Sequence, residues 1–193
     1  MPRDLPSDIT SPIIAPTLSH HSISLETWRG PTPKYSNLAI GGFILRLSPK
    51  DKSTQLLLLK RASTDSYPNM WEPPGGSVDK EDLTLFHGLV REVWEESGLR
   101  VTKINRQIWD KDGKGKEEVS FPGRRGALWC KLNFLIEVQT KEDGEVDVEL
   151  DQTEHQKWGW FSKDEMEELP FITLQAREIA RNAFAAYEES VTR

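Results

Sequence analysis

Hydrophobic residues along the chain fall into short runs and alternations that predict a series of β-strands. Segment 37–47 (NLAIGGFILRL) is almost entirely apolar, and segment 54–62 (TQLLLLKRA) follows it after a polar loop, which is typical of a hairpin. Segment 129–138 alternates, and a long, half-buried strand there would place these residues on one face: Cys130, Leu132, Phe134, Ile136 and Val138. Shorter strands are predicted at 100–109 and 157–162.

Two other segments repeat their apolar residues at helical spacing. In a helix over about 82–97, one side carries Leu83, Phe86, Val90, Val93 and Trp94. In a C-terminal helix, one face carries Ile172, Ala176, Ile179, Ala180, Ala183, Phe184 and Tyr187. Ser162 and Glu165 have the spacing of a capping box that opens a short helix. Strands interleaved with helices predict an α/β domain in which helices cover a mixed β-sheet.

The first 36 residues lack such periodicity and hold six of the twelve prolines. We therefore expect residues 1–36 to be a loosely ordered, Pro-rich tail, in which His20 and His21 are ordinary polar residues. The ordered domain is expected over 37–188, with 189–193 as a short C-terminal end.

Composition limits the classes of partner. The net charge of −6 over 193 residues disfavours a nucleic-acid polymer, which requires a clustered basic face. A divalent cation could still bridge an acidic protein to a small phosphorylated ligand. The single cysteine, Cys130, excludes an internal disulfide and is expected to be a small core residue. The chain has no membrane-length apolar run and no signal-peptide core, so we expect no membrane contact and a cytoplasmic or nuclear location.

The predicted helix over 82–97 carries an acidic face. Helical spacing brings Glu92, Glu95 and Glu96 together opposite the apolar side. Gly88 lies one turn earlier on that face, where we expect it to leave room for the turn at Gly75 and Gly76. The face is either solvated or a metal site. Mutual repulsion and the helix dipole disfavour three acids near a C-terminus, and a hard divalent cation would relieve both.

Segment 76–99 resembles the signature box of the Nudix hydrolases. Its second half, REVWEESGL (91–99), agrees with the family pattern Arg-Glu-apolar-x-Glu-Glu-x-Gly-apolar at every specified position. The preceding NMWEPPGG (69–76) and the later ELDQTEHQKWGWFSKDEMEELP (149–170) are also similar to family segments. The resemblance implies a Nudix-type α/β/α sandwich over roughly 37–188.

The same resemblance implies an activity, namely hydrolysis of the pyrophosphate linkage in a nucleoside diphosphate derivative with Mg²⁺ or Mn²⁺. It implies that the metal ligands are Glu92, Glu95, Glu96, Asp82 and the carbonyl of Gly76. Arg91 would orient a box glutamate, and the alternative, a purely structural ion pair, is nearly the same claim. Glu95 or Glu96 would be the base that takes the proton from water. The partner would be that small molecule, and a homodimer is left open.

The box departs from the family pattern in its first half. Asp82 stands where the family has glutamate, and eight residues rather than seven separate it from Arg91. An extra residue inside the helix would rotate the catalytic face by about 100°. We therefore place the insertion before the helix, with Asp82 or Glu81 in the role of the acid. The alternative function is a Nudix-fold binding or regulatory module without turnover.

Outside the box, several residues are candidates for substrate contact. Trp109, Phe121 and Trp129 could stack on a base or pack in the core. Arg124 and Arg125 lie in a Gly-flanked segment and could hold phosphate or be solvated. Glu154, followed by His155, fits the family pattern of a further acid, whereas the acidic residues of 145–151 are expected to be a solvated edge. These residues do not identify the substrate.

Overall fold

The computed structural model of the chain describes residues 5–6, 11–109, 119–123 and 126–191. The strands in these ranges are β1 (Ile13–Ile14), β2 (Asn37–Leu47), β3 (Thr54–Arg61), β4 (Trp71–Glu72), β5 (Val101–Ile108), β6 (Val119–Pro122), β7 (Leu128–Val138) and β8 (His155–Ser162). The α-helices are α1 (Leu25–Arg29), α2 (Leu85–Ser97), α3 (Lys163–Glu168) and α4 (Leu174–Val191), and a 3₁₀ helix spans Pro16–His21.

The strands form one mixed sheet. Its order is β1-β5-β7-β2-β3-β4, with β6 added to β7 and β8 added to β3. The β1–β5 and β2–β7 pairs are parallel, whereas β2 and β3 form the expected antiparallel hairpin. The long parallel pairing aligns Asn37–Ile44 with Trp129–Ile136 and places β2 at the centre of the sheet.

Two hydrophobic cores lie on opposite faces of this sheet. On β2, Leu38 and Ile40 join the core that contains the apolar side of α2, while Phe43 and Leu45 join the core that contains α4. Because alternate residues of a strand point to opposite faces, an almost continuous apolar run is what a strand between two helical layers requires. This arrangement confirms the expected α/β/α sandwich with a mixed sheet.

Strand β7 is more deeply buried than its alternation predicted. The face that contains Cys130 and Phe134 packs in the α2 core, as expected. The opposite face is not solvated, since Leu135 packs in the α4 core at 3% exposure and Asn133 is 2% exposed. The prediction of a half-buried strand was therefore wrong, because the C-terminal helix covers the second face.

Helix α2 begins three residues later than predicted. The side chain of Thr84 caps it by accepting a hydrogen bond from the His87 N–H at 3.1 Å. Leu83 precedes this cap and is 78% exposed, so its assignment to the buried face was wrong. Leu89, which that assignment omitted, is fully buried instead.

The N-terminal segment from residue 11 is ordered on the domain, contrary to the expected loose tail. Strand β1 pairs with β5, and a 3₁₀ helix and α1 follow. Leu18 and Leu25 are each 4% exposed and belong to the α2 core. A two-residue strand and helices of one or two turns are too short to produce a detectable period, so the sequence shows no sign of them. Individual apolar residues such as Leu18 and Leu25 attach this segment to the domain.

His21 is part of that attachment and is not an ordinary polar residue. Its ring is 8% exposed and lies edge-on to Phe86 and Phe134. Its Nε2 lies 3.0 Å from Oε1 of the buried Gln107. This hydrogen bond offsets the cost of burying a polar ring.

Other features agree with the sequence. Ser162 and Glu165 form both hydrogen bonds of a capping box at the start of α3. Cys130 is fully buried, as a small core residue should be. Among the described residues, no helix combines the length and the hydrophobicity needed to cross a bilayer.

Candidate active site

The glycine turn before α2 packs directly against strand β2. Ile40 N–H donates to the Gly76 carbonyl at 2.8 Å, and Gly42 N–H donates to the Pro74 carbonyl at 2.9 Å. Gly75 has φ +146°, and a Cβ there would lie 2.2 Å from the Ile40 carbonyl oxygen. Only glycine permits this approach, which holds the turn against β2 and beside Glu92 and Glu96 of the acidic helix face.

Asp82 lies in the turn before α2, where the extra residue of the box was expected. Its Oδ1 accepts from Arg91 Nε at 3.0 Å and lies 3.1 Å from His87 Nδ1. Its Oδ2 accepts from Arg91 Nη2 at 2.9 Å and from the Asp79 N–H at 2.8 Å. Burial raises the pKa of Asp82, but the Arg91 hydrogen bond and the Asp79 N–H outweigh it, so the net pKa is below the usual value.

These contacts change the role expected for Asp82. A carboxylate has about four lone-pair positions, and the four contacts occupy both oxygens. We therefore remove Asp82 from the proposed metal ligands and propose that it positions Arg91. Gly88 leaves room for the same carboxylate, since a Cβ on Gly88 would lie 2.8 Å from Asp82 Oδ2. The expectation that Gly88 makes room for the turn at residues 75–76 was therefore wrong.

Arg91 connects this turn to the acidic face. Its Nη1 donates to Glu92 Oε1 and to Glu95 Oε2, both at 3.0 Å, and its Nη2 donates to the Ser77 carbonyl at 2.8 Å. The Arg91 side chain is 15% exposed, and the carboxylates around it hold its pKa above the usual range despite burial. Arg91 therefore contacts two of the three glutamates, and its role in orienting them stays a prediction.

The glutamates share a strongly acidic environment. Burial raises the pKa of Glu92 to about 7, against the opposing effect of Arg91. Burial likewise raises the pKa of Glu95, and it raises that of Glu96 strongly, with the charge of Glu72 as the next cause. A Cβ on Gly76 would lie 2.4 Å from Glu92 Oε2, so the missing side chain leaves room for that carboxylate.

Glu96 belongs to a buried polar cluster that the sequence did not reveal. Its Oε2 accepts from the Gly75 N–H at 2.7 Å, which ties the helix to the glycine turn. Glu72, 3% exposed, pairs with Arg61 and lies 3.4 Å from Nε2 of the fully buried His155. Burial works to raise the pKa of Glu72, but its hydrogen bond with His155 and the charges of Lys131 and Arg61 lower it overall.

Helix α2 and the chain at the start of β8 bring three possible metal ligands together. One ligand atom each from Glu96, Glu154 and His155 lies within 4.8 Å of the others, although Glu154 and His155 follow Glu96 by more than fifty residues. Two of these three residues offer carboxylate oxygens, and Mg²⁺ and Mn²⁺ prefer oxygen ligands. Burial, with neighbouring carboxylates as a smaller cause, raises the pKa values of Glu92, Glu95 and Glu96, and a bound cation would favour their charged forms. The residues therefore fit a divalent metal.

The expected substrate residues lie in different places. Phe121 lines a cavity of about 260 Å³, and Trp129 stacks behind it with ring centres 6.0 Å apart. Trp109 lies beside α4, where its carbonyl accepts from the side chain of Asn182 at 2.8 Å. Arg124 and Arg125 lie outside the described residues.

Sequence reasoning missed Arg61 and Glu72 as parts of the site. Glu72 stands within the segment WEPPGG, which was noted only for its resemblance. A charged residue followed by prolines gives no sign of burial, and β4 is only two residues long. Its pairing partner on β3 and the neighbouring His155 come from distant segments, so only the folded sheet reveals the cluster.

Comparison with known proteins gives this geometry a family. The model of the NUDIX domain matches residues 39–183, which is most of the chain and contains the whole acidic helix. The chain belongs to the NUDIX domain family. Curated relatives of this Nudix chain include the m7GpppN-mRNA hydrolase NUDT17 of Homo sapiens, 49% identical over 61 residues. That match covers 31% of this chain but only 18% of the human protein.

Other relatives show the same limited coverage. The NUDT17 of Bos taurus is 41% identical over 70 residues, or 36% of this chain and 22% of that protein. The Nudix chain thus aligns with about a fifth of these relatives' length, and their activities are not transferred with the match.

Solved structures agree on the fold. A MutT NUDIX hydrolase from Burkholderia pseudomallei superposes with a TM-score of 0.57 at 20% identity, over 76% of this chain and 96% of that one. An Ap4A hydrolase from C. elegans gives a TM-score of 0.55 at 23% identity, over 80% and 98% of the two chains. At these identities the superpositions support the Nudix sandwich and carry no information on substrate.

Proposed function

We propose that this Nudix chain catalyses the metal-dependent hydrolysis of the pyrophosphate linkage in a nucleoside diphosphate derivative. The observation that carries the proposal is that Glu96, on the acidic face of α2, lies within 4.8 Å of ligand atoms of Glu154 and His155. The other two glutamates of that face, Glu92 and Glu95, share hydrogen bonds from Arg91. A solvated acidic face would not be buried against a glycine turn or share its arginine with a buried aspartate.

Each residue of the site has a proposed role. Glu92, Glu95 and Glu96 would hold Mg²⁺ or Mn²⁺, which when bound supplies charge neutralisation at the diphosphate and a water of lowered pKa. Arg91 keeps the carboxylates of Glu92 and Glu95 in position through its 3.0 Å hydrogen bonds. Glu95 has the most open side chain of the trio, 21% exposed, and is the proposed acceptor of the proton from the attacking water.

The Gly76 carbonyl stays a proposed ligand with a fixed direction. It accepts the Ile40 N–H at 2.8 Å, so strand β2 sets where its second lone pair points. A carbonyl has two lone pairs and can accept from the strand and bind a cation together.

The proposed substrate class includes the capped end of an RNA. The relatives named m7GpppN-mRNA hydrolase act, by that name, on a nucleotide bridged through phosphates to RNA. The net charge of −6 still disfavours contact along a polymer, so we expect recognition of the 5′ end and not of the strand. The homodimer stays a prediction, which light scattering tests.

The test is product release from a panel of pyrophosphate compounds. The panel holds oxidised nucleotides, nucleotide sugars, dinucleoside polyphosphates, dinucleotide cofactors and a capped oligonucleotide, each with Mg²⁺, with Mn²⁺ and with chelator. Turnover of a member that depends on the metal and is lost in Glu95→Gln and Glu96→Gln supports the proposal. Glu142→Gln, an exposed acid outside the site, is the matched control and should keep full turnover.

A different pattern would favour the alternative function. Metal binding by calorimetry, with no turnover of any panel member, would indicate a Nudix-fold binding module. Turnover that persists in both folded Glu95 and Glu96 variants would refute the assignment of these two residues.

A further inference from the structure

One lysine brings a positive charge to the edge of the acidic cluster. Lys131 lines the same cavity of about 260 Å³ as Phe121, and it is the only charged residue among those that line this cavity within the described ranges. Pro73, which follows Glu72 of the acidic cluster and leads into the glycine turn, forms another part of the wall. The cavity therefore borders the turn and the acidic cluster, and an ammonium is its one charged group.

The position of this ammonium is set by two glycines. Lys131 lies on β7 beside Gly41 of the neighbouring strand β2, where a Cβ would lie 3.1 Å from Lys131 Cε and 3.6 Å from its Nζ. Gly41 therefore leaves room for the lysine. The glycine turn approaches at the same point, since a Cβ on Gly75 would lie 2.7 Å from Gly41 Cα. The ammonium thus lies beside the turn whose Gly75 N–H binds Glu96.

The Lys131 ammonium has no hydrogen-bond or ion-pair partner in the part of the chain that the structure describes. The side chain is half-buried, but its Nζ is not among the enclosed polar atoms and keeps accessible surface. Its charge reaches the acidic cluster, since burial raises the pKa of Glu72 while the His155 hydrogen bond and then the charge of Lys131 lower it. A half-buried ammonium without an ion pair can still bind an incoming anion at its accessible surface.

A diphosphate is an anion that suits this arrangement. Divalent cations on the acidic face would bind those phosphate oxygens that face α2. Oxygens on the side of the cavity need a separate donor, and a lysine ammonium binds phosphate as a point charge with rotatable donors. A cation on each side of a phosphoryl group stabilises the negative charge that redistributes as the linkage breaks.

We propose that Lys131 binds a non-bridging phosphate oxygen of the substrate, on the side of the diphosphate that faces the cavity. Lys131 is then a catalytic residue that touches the substrate directly, and it acts from β7, outside the signature box. This inference deepens the proposed function and rests on it, because the cations of the acidic face place the diphosphate beside the ammonium.

The experiment uses methylenediphosphonate, a diphosphate analogue in which carbon replaces the bridging oxygen. The analogue has no base or ribose, so its affinity reports phosphate contacts alone, and its P–C–P linkage is not hydrolysed. Binding to the whole chain is measured by calorimetry with Mg²⁺. We expect Lys131→Met to bind it about 10–100-fold more weakly than the unmodified chain, as loss of a charged hydrogen bond does. For the preferred panel compound, kcat/KM should fall at least as much.

Variants separate this contact from effects on folding. Lys131→Arg keeps a charge that binds phosphate, and its affinity should stay within about threefold of the unmodified chain. Lys103→Met, on β5, is the control and should change the affinity by less than about twofold, because the Lys103 ammonium already pairs with Glu137 at 3.3 Å on the surface. Circular dichroism checks the fold of each variant. If Lys131→Met is unfolded, Lys131→Gln takes its place with the same expectation.

Salt distinguishes a direct contact from attraction at a distance. The screening length falls from about 10 Å at 0.1 M to about 3 Å at 1 M ionic strength. A direct contact lies within the shorter length, so the difference between the unmodified chain and Lys131→Met should persist at the higher ionic strength. A difference that disappears there would overturn the contact.

The outcomes distinguish this inference from the proposed function. Metal-dependent hydrolysis of the panel, with equal binding of methylenediphosphonate by Lys131→Met and the unmodified chain, overturns the inference alone. Binding that depends on Lys131, without hydrolysis of any panel member, supports the inference and overturns the proposed activity. Absence of binding of methylenediphosphonate by the unmodified chain overturns the inference.

Discussion

Arg91 binds both oxygens of Asp82 through a two-point hydrogen-bonded fork, with Nε–Oδ1 at 3.0 Å and Nη2–Oδ2 at 2.9 Å. The fork joins the turn before α2 to the middle of the helix. It leaves Nη1 directed at Glu92 and Glu95. The aspartate therefore acts on the glutamates through the arginine, and its shorter side chain and the extra residue of the box are compatible with that task.

We expect Asp82→Asn to lower turnover about 10–100-fold, as the loss of a partner that orients a ligand does. The neutral amide has one oxygen and cannot accept from both Nε and Nη2 of Arg91. Arg91 would then be held less firmly, and so would Glu92 and Glu95, which it contacts. Because Asp82 is 3% exposed and both its oxygens contact protein groups, kcat should fall more than KM changes. Steady-state kinetics on the preferred panel compound measures this split.

Asp79→Asn is the matched control for that variant. Asp79 also faces Arg91, at 3.5 Å from Nη2, but its side chain is 58% exposed. An exposed ion pair contributes little, so turnover should change by less than about twofold. Equal losses in both variants would contradict the positioning role of Asp82.

Gly75→Ala tests the close approach of the turn to β2. The added methyl group would lie 2.2 Å from the Ile40 carbonyl oxygen, at a backbone φ of +146°. We expect a loss of more than about 3 kcal/mol of unfolding free energy, since overpacking and backbone strain add. Gly144→Ala has φ +80° but nothing within 4 Å, so urea unfolding should show a loss of only about 1–2 kcal/mol.

Leu25→Ala tests the attachment of the N-terminal segment. Leu25 is 4% exposed in the α2 core, and truncating it should cost about 2–5 kcal/mol in urea unfolding. A loose tail would give no loss. Leu83→Ala is the control, since Leu83 is 78% exposed and its truncation should change the unfolding free energy by less than about 0.5 kcal/mol.

The sequence predicted the parts of the fold that repeat over many residues. The bounds of β2 are those of its apolar run, because a strand covered on both faces needs an apolar residue at nearly every position. The acidic face of α2 followed from helical spacing alone, and the structure gives Glu92, Glu95 and Glu96 that arrangement. Periodicity and spacing are local, so one chain segment contains all the information.

What the sequence did not predict depends on distant partners. Burial of His21 requires Gln107, and burial of Glu72 requires Arg61 and His155. Leu83 was misplaced for a local reason, since Thr84 caps the helix and the helix begins three residues later than predicted. In each case the deciding contacts are hydrogen bonds between particular side-chain or backbone groups, which leave no period in the sequence.

The final prediction concerns Glu96, whose charged carboxylate should lower the stability of the metal-free protein although it is needed to bind the metal. Burial, and then the charge of Glu72, hold the pKa of Glu96 well above its usual 4.5. The folded state then keeps a proton that the unfolded state has released, so stability falls as the pH rises from the unfolded pKa through the folded one. In chelator, Glu96→Gln should therefore gain stability over the unmodified chain, by an amount that grows with pH across that window.

A bound cation should reverse this order. Mn²⁺ that binds the folded state alone stabilises it by mass action, and it needs the carboxylate that Glu96→Gln lacks. Urea unfolding from about pH 5 to about pH 8, with chelator and with Mn²⁺, measures both effects. A variant that is less stable in chelator at every pH, yet equally stabilised by Mn²⁺, would show that Glu96 supports the fold and does not hold the metal. Opposite signs in the two solutions would show that the buried charge weakens the empty fold and serves the metal.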